Sequence, residues 1–149
     1  MSKSATLLDV EALLIVELDG PPTEVNHLID KVETIARACR ATEIRLNRDD
    51  AERLAFRSGR KAAFPAVGRI SPDYYRMGGT IPRARLADVL ARIRTMSKHY
   101  GLAVANVFHA GDGNLHPLIL YDANKPIEVE RAESLGADIL KLALKQGVF

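Results

Sequence analysis

One short segment, Ala110-Gly-Asp-Gly-Asn114, constrains the fold of this 149-residue chain more than any other. It separates two apolar runs, Leu102 to His109 and Leu115 to Tyr121, and Asp-Gly between such runs is among the strongest short-range hairpin signals. A tight hairpin requires an antiparallel pair. With Asp112 and Gly113 as the two central residues of a type I′ turn, Gly111 pairs with Asn114, Ala110 with Leu115, and His109 with His116. Two imidazoles then face each other across the ladder, with Cβ atoms roughly 4.5 to 5.5 Å apart. A slip of one residue would send the rings to opposite faces.

The rest of the pattern surrounds this hairpin with helices. Glu11 to Leu18 is an apolar run closed by Asp19-Gly20-Pro21-Pro22 and reads as a buried strand. Val25, Leu28, Ile29, Val32, Ile35, Ala36 and Cys39 repeat at helical spacing, with Thr23 as a cap and Cys39 as a buried, inert thiol. Thr42 to Leu46 reads as a second strand. A helix from about Asp50 to Ala63 follows, capped by Asn47 or Asp49 and stopped by Pro65. Pro65 to Tyr75 reads mostly as loop, with a short strand near Tyr75 to Met77.

Leu86, Val89, Leu90, Ile93 and Met96 mark a third helix that starts near Pro82 and ends before Gly101. The last helix begins near Pro126, buries Ala132, Leu135, Ile139, Leu142 and Ala143, and meets Gly147 at a left-handed cap. Val148-Phe149 after that glycine announces a further strand. The fold class expected is α+β: a mainly antiparallel sheet with helices packed on it, in the ferredoxin-like, split βαβ style.

Composition narrows the function classes. With 21 basic and 19 acidic side chains the net charge is +2, too even to point to nucleic acid, and without Trp no aromatic stacking surface is evident. No segment reaches the roughly 20 apolar residues of a membrane span, and no leader is recognisable, so a cytoplasmic location is expected. A single cysteine allows neither an intramolecular disulfide nor a thiolate zinc cluster.

His109 and His116 could supply two neutral nitrogen ligands to zinc or another divalent metal, but a catalytic zinc takes about three protein ligands and no third is evident. A hydrogen-bonded histidine pair at a hairpin mouth is the alternative. Arg53, Arg57, Arg60 and Lys61 recur at helical spacing, which reads as a solvated basic face unless a carboxylate ligand is brought to it.

Asn106-Val-Phe-His-Ala-Gly-Asp-Gly-Asn-Leu-His-Pro117 resembles the histidine signature of the C-terminal domain of FAD-linked oxidases, a family that includes glycolate oxidase and the D-lactate and D-2-hydroxyglutarate dehydrogenases. Arg60-Lys-Ala-Ala-Phe-Pro-Ala-Val-Gly68 and Tyr74-Tyr-Arg-Met-Gly-Gly-Thr-Ile-Pro-Arg83 are similar to segments of the glycolate oxidase branch of that family. The resemblance runs from about Glu11 to the end, leaving residues 1–10 as an N-terminal extension and 11–149 as a substrate-side (cap) domain incomplete at its C-terminus.

The resemblance implies FAD held mainly by a separate flavin-binding domain or subunit and a small 2-hydroxy acid as substrate. It also implies a divalent metal at His109 and His116, a substrate carboxylate at Arg60, a further substrate contact at Arg76, and Asn114 beside the cofactor. Arg76 stands where some members carry a substrate-contacting lysine, and Gly78 replaces a usual aspartate. The family's Gly-Glu-His-Gly motif, with a third metal ligand and a catalytic base, is expected just beyond Phe149. The polypeptide alone is therefore expected not to turn over. Two other readings remain open: a binding or assembly module that joins a flavoprotein or forms a homo-oligomer, and a plain two-histidine metal binder.

Overall fold

The computed structural model describes residues 10–47 and 49–146, apart from the side chain of Arg60. The chain divides into two compact units, residues 1–58 and 59–149. The expected strand that continues through Val148-Phe149 and the cap at Gly147 lie outside the described residues.

In the first unit, helix α1 (Pro22–Ala38) starts with proline at its first position, where the missing N–H costs nothing. Pro21, not Thr23, is the capping residue, and Thr23 lies within the first turn. The helix closes when Arg40 adopts a left-handed φ of 63°, which lets Ala41 N–H reach Ala36 O at 2.9 Å and Arg40 N–H reach Arg37 O at 2.9 Å. The apolar stripe is narrower than its spacing suggests. Val25, Leu28, Ile29, Val32 and Ala36 are half-buried, whereas Ile35 is exposed and Cys39 is an exposed free thiol rather than a buried one.

Neither N-terminal strand forms. Residues 12–19 have no ladder, and Leu13 and Leu14 are 64% and 69% exposed. Residues 43–47 are likewise irregular. Apolar alternation and runs report what a segment could bury, but a strand also needs a paired neighbour, and these segments have none among the described residues.

Helix α2 (Asp50–Lys61) is capped by Asp49, whose Oδ1 accepts the Glu52 N–H at 2.8 Å. It stops before Pro65, as its sequence requires. A new short helix α3 (Ala63–Val67) then carries Pro65 in its own first turn, where no intrahelical N–H is lost, so part of the expected loop is helical.

The second unit holds a four-stranded antiparallel sheet. Strand β4 (Asn114–Tyr121) pairs with β3 (Val104–His109) on one edge, and with β1 (Asp73–Arg76) and β2 (Gly79–Thr80) on the other. β1 and β2 share one register, Arg76 opposite Leu118 and Gly79 opposite Leu115, so they are one strand with a gap. The gap has a local cause. Met77 N–H donates to Pro117 O at 2.9 Å, but Pro117 has no N–H to return the bond.

Helices α4 (Leu86–Tyr100) and α5 (Pro126–Leu144) cover one face of this sheet. A 3-10 turn, Arg83–Arg85, leads from Pro82 into α4, and Gly101 closes α4 with a φ of 65°. The core between helices and sheet contains Ile93, Leu135 and Ile119, each fully buried, with Ile81, Val89, Leu115, Ala132, Ile139 and Leu142. These are the apolar positions that helical spacing places on one side of each helix. Gly136 lets α5 approach the sheet closely, since a Cβ there would stand 2.9 Å from a ring carbon of Tyr75. The α+β class and the antiparallel sheet therefore stand as read.

Polar contacts fix the two helices. Tyr100 O–H donates to Asp138 at 2.7 Å, and Glu128 Oε2 accepts the Asp122 N–H at 2.9 Å ahead of α5. Three carboxylates consequently lie below their ordinary range. Hydrogen bonds from Tyr100 and then Lys141 lower Asp138, the backbone N–H of Asp122 and then Lys125 lower Glu128, and the Asn124 backbone and side chain lower Asp122. A carboxyl group with a lowered folded value contributes stability above its unfolded value and loses it as pH falls through the folded one. The melting temperature is thus expected to fall as pH drops below about 4, and Asp138→Asn to shallow that fall; an unchanged profile in the variant, followed by circular dichroism, would contradict it.

Candidate functional site

The hairpin turns through four residues, Ala110 to Gly113, not two. His109 pairs with Asn114, Phe108 with Leu115 and Val107 with His116. A type I′ turn needs positive φ at both central residues, yet Gly113 alone has it, at 75°, and Asp112 does not. The Gly113 N–H donates to His109 O at 3.0 Å, and Asp112 Oδ1 accepts the Asn114 N–H at 2.9 Å. Outside the loop, Ile81 N–H donates to Gly113 O at 3.0 Å.

The register differs by two residues from the expected one. Side chains alternate with period two, so a shift of two preserves the face. His109 and His116 are diagonal neighbours instead of direct partners, and they remain on one side: their ring centroids are 6.2 Å apart and their planes nearly perpendicular, at 85°.

The same alternation places other candidates. On the face opposite α4 and α5, β4 presents Asn114, His116, Leu118 and Leu120, β3 presents Ala105, Val107 and His109, and the interrupted strand presents Tyr74, Arg76, Gly78 and Thr80. Packing agrees, because Leu118 and Leu120 meet Phe64 and Val67 of α3 together with Ala105 and Val107. Arg76, Asn114, His109 and His116 therefore share one face, with His116 and Asn114 half-buried and Arg76 and His109 exposed. Thr80, opposite Asn114, belongs to the same surface and was not singled out by sequence; counting by twos from Arg76 would have reached it.

Arg60 lies near the end of α2, three residues before α3 begins. Two of its neighbours on the basic stripe are engaged. Arg53 pairs with Asp50 at 3.0 Å and Arg57 with Glu17. Arg76 forms no ion pair among the described residues.

A metal centre is not complete here. Among the described residues no three His, Cys, Asp or Glu side chains come together to hold an ion. Two imidazoles fall short of the three protein ligands a catalytic zinc takes, so the expected zinc finds no support in this donor set.

An antiparallel sheet with two helices on one face, and with a histidine pair, an arginine and an amide beside α3 on the other, defines an α+β domain. Comparison with known sequences assigns that domain. Residues 2–147 match the family described as FAD linked oxidases, C-terminal domain, and the chain belongs to that family. It is 56% identical over 140 residues to glycolate oxidase subunit GlcD of Escherichia coli, covering 94% of this chain and 28% of that protein. The GlcD protein of Bacillus subtilis is 31% identical over 92% of this chain and 29% of its own length. Mitochondrial D-lactate dehydrogenase [cytochrome] 1 of Saccharomyces cerevisiae is 29% identical, over 83% of this chain and 22% of its own length. The chain thus spans less than a third of each of these relatives. Membership brings FAD as the family's cofactor. No described helix is long and apolar enough to cross a membrane.

Proposed function

We propose that residues 11–149 act as the substrate-side domain of an FAD-dependent 2-hydroxy-acid oxidoreductase of the glycolate oxidase kind. The observation that carries this reading is the convergence of Arg76, Asn114, His109 and His116 on one face of the sheet. A planar guanidinium suits bidentate capture of a carboxylate, and Arg76 and Arg60 are assigned that task. His109 and His116 would meet the hydroxyl end of the acid, and Asn114 would contact the flavin. FAD, when bound, supplies the hydride acceptor. A metal at the two histidines would need further ligands from outside the described residues, and no step is assigned to it.

The flavin-binding region is a required partner, on the same polypeptide or another. These 149 residues alone are expected to show no turnover of glycolate or D-lactate with an artificial electron acceptor. Joined to the flavin-binding region of a GlcD relative and to that relative's following segment with its Gly-Glu-His-Gly motif, they are expected to turn over. Arg76→Ala in that assembly should lower kcat/KM about 10- to 100-fold, the effect of one charge-assisted hydrogen-bonded contact. Robust turnover by the isolated residues, or none from the joined protein, would overturn the proposal.

The alternative, a docking or homo-oligomeric assembly module, is favoured by the outer edge of the interrupted strand. There Tyr74, Arg76, Gly78 and Thr80 direct backbone groups away from β4. It is the reading that an inactive joined protein would leave.

A further inference from the structure

Among the described residues, His116 Nδ1 is a side-chain atom shut off from solvent with no hydrogen-bond partner. Its opposite number on the neighbouring strand is Gly78, in the gap that Pro117 creates. A Cβ built on Gly78 would stand 3.8 Å from Nδ1, an ordinary contact with nothing else in the way. The backbone at Gly78 is not left-handed, so a side chain would fit there without strain. Glycine therefore leaves Nδ1 without the anchor that this position is placed to provide.

The tautomer of a neutral imidazole is set by the hydrogen bond its other nitrogen makes. A solvent-excluded N–H with no acceptor is costlier and rarer than a bare acceptor lone pair. The proton of neutral His116 should thus avoid Nδ1 and reside on Nε2, which is not shut off from solvent. We propose that residue 78 is the positioning site for His116, and that glycine there fixes the Nε2–H tautomer, making His116 a hydrogen-bond donor to an oxygen of a bound acid rather than a lone-pair ligand for a metal. This deepens the substrate-side reading and rests on it for the identity of the acid. The tautomer itself can be read without any substrate, so the two can fail separately.

The test is the pattern of long-range proton–nitrogen NMR correlations of His116 in the purified chain above about pH 8, where imidazoles are neutral. The wild type should carry its proton on Nε2. Gly78→Ala fills the space without a polar atom and should leave the proton there. Gly78→Asp offers an acceptor and should move the proton to Nδ1. Because Arg76 lies two residues away on the same face and could attract the new carboxylate, Gly78→Asp combined with Arg76→Ala is the second variant. A wild-type proton on Nδ1, or no transfer in either aspartate variant, would overturn the inference.

Discussion

Gly113→Ala is expected to destabilise the second unit by about 3 kcal/mol, the sum of a left-handed conformation and forced overpacking. A Cβ on Gly113 would stand 2.0 Å from the carbonyl oxygen of Ile81 and 3.2 Å from its carbonyl carbon. Both are backbone atoms that cannot step aside without tearing the Ile81 N–H to Gly113 O bond. The φ of 75° adds a penalty that no repacking removes. Urea unfolding would measure the loss, and a change below about 1 kcal/mol would mean that the loop rearranges freely. The substitution also tests the site, because this loop sets the two-residue offset that makes His109 and His116 diagonal neighbours.

Leu118→Ala is expected to cost about 2 to 5 kcal/mol, the range for truncating a buried leucine whose surroundings relax only in part. Leu118 is fully buried on the candidate-site face, between the sheet and α3, and packs with Leu120, Val67 and Phe64. It lies two residues from His116 and directly opposite Arg76. Loss of its bulk should loosen α3 as well as the paired strands β4 and β1 that carry these two site residues. Leu118→Met keeps most of the volume and should cost less than about 1.5 kcal/mol. Equal losses in the two variants, compared by thermal melting, would show that volume at this position is not what holds α3 to the sheet.

How far the site was legible depended on which physical signal each residue left. The histidine hairpin was visible because the glycines and Asp112 interrupt two apolar runs, and a chain that reverses there pairs antiparallel whatever its exact turn. The turn type was less legible. Asp-Gly serves both a two-residue I′ turn and a longer loop with one left-handed glycine, and the docking of Gly113 on Ile81, thirty-two residues earlier in sequence, coincides with the second. The prediction that both rings lie on one side survived only because the error was an even number of residues.

The N-terminal strand reading had no such protection. Leu13 to Val16 look like a strand because they are apolar, yet pairing is a relation between segments and leaves no mark in one of them. Cys39 likewise occupies an apolar helical spacing but is exposed, since α1 ends at Ala38 and Cys39 is its C-cap.

Residue order alone thus determined the α+β class, helices α1, α4 and α5, and the histidine turn, because each follows from local periodicity, proline and glycine stereochemistry, or the reach of adjacent residues. Tertiary structure decided the register, the break opposite Pro117, the gathering of Arg76 and Thr80 onto the histidine face, and the empty position beside His116. Those depend on which distant backbone supplies a hydrogen bond, and that is settled only when the strands meet.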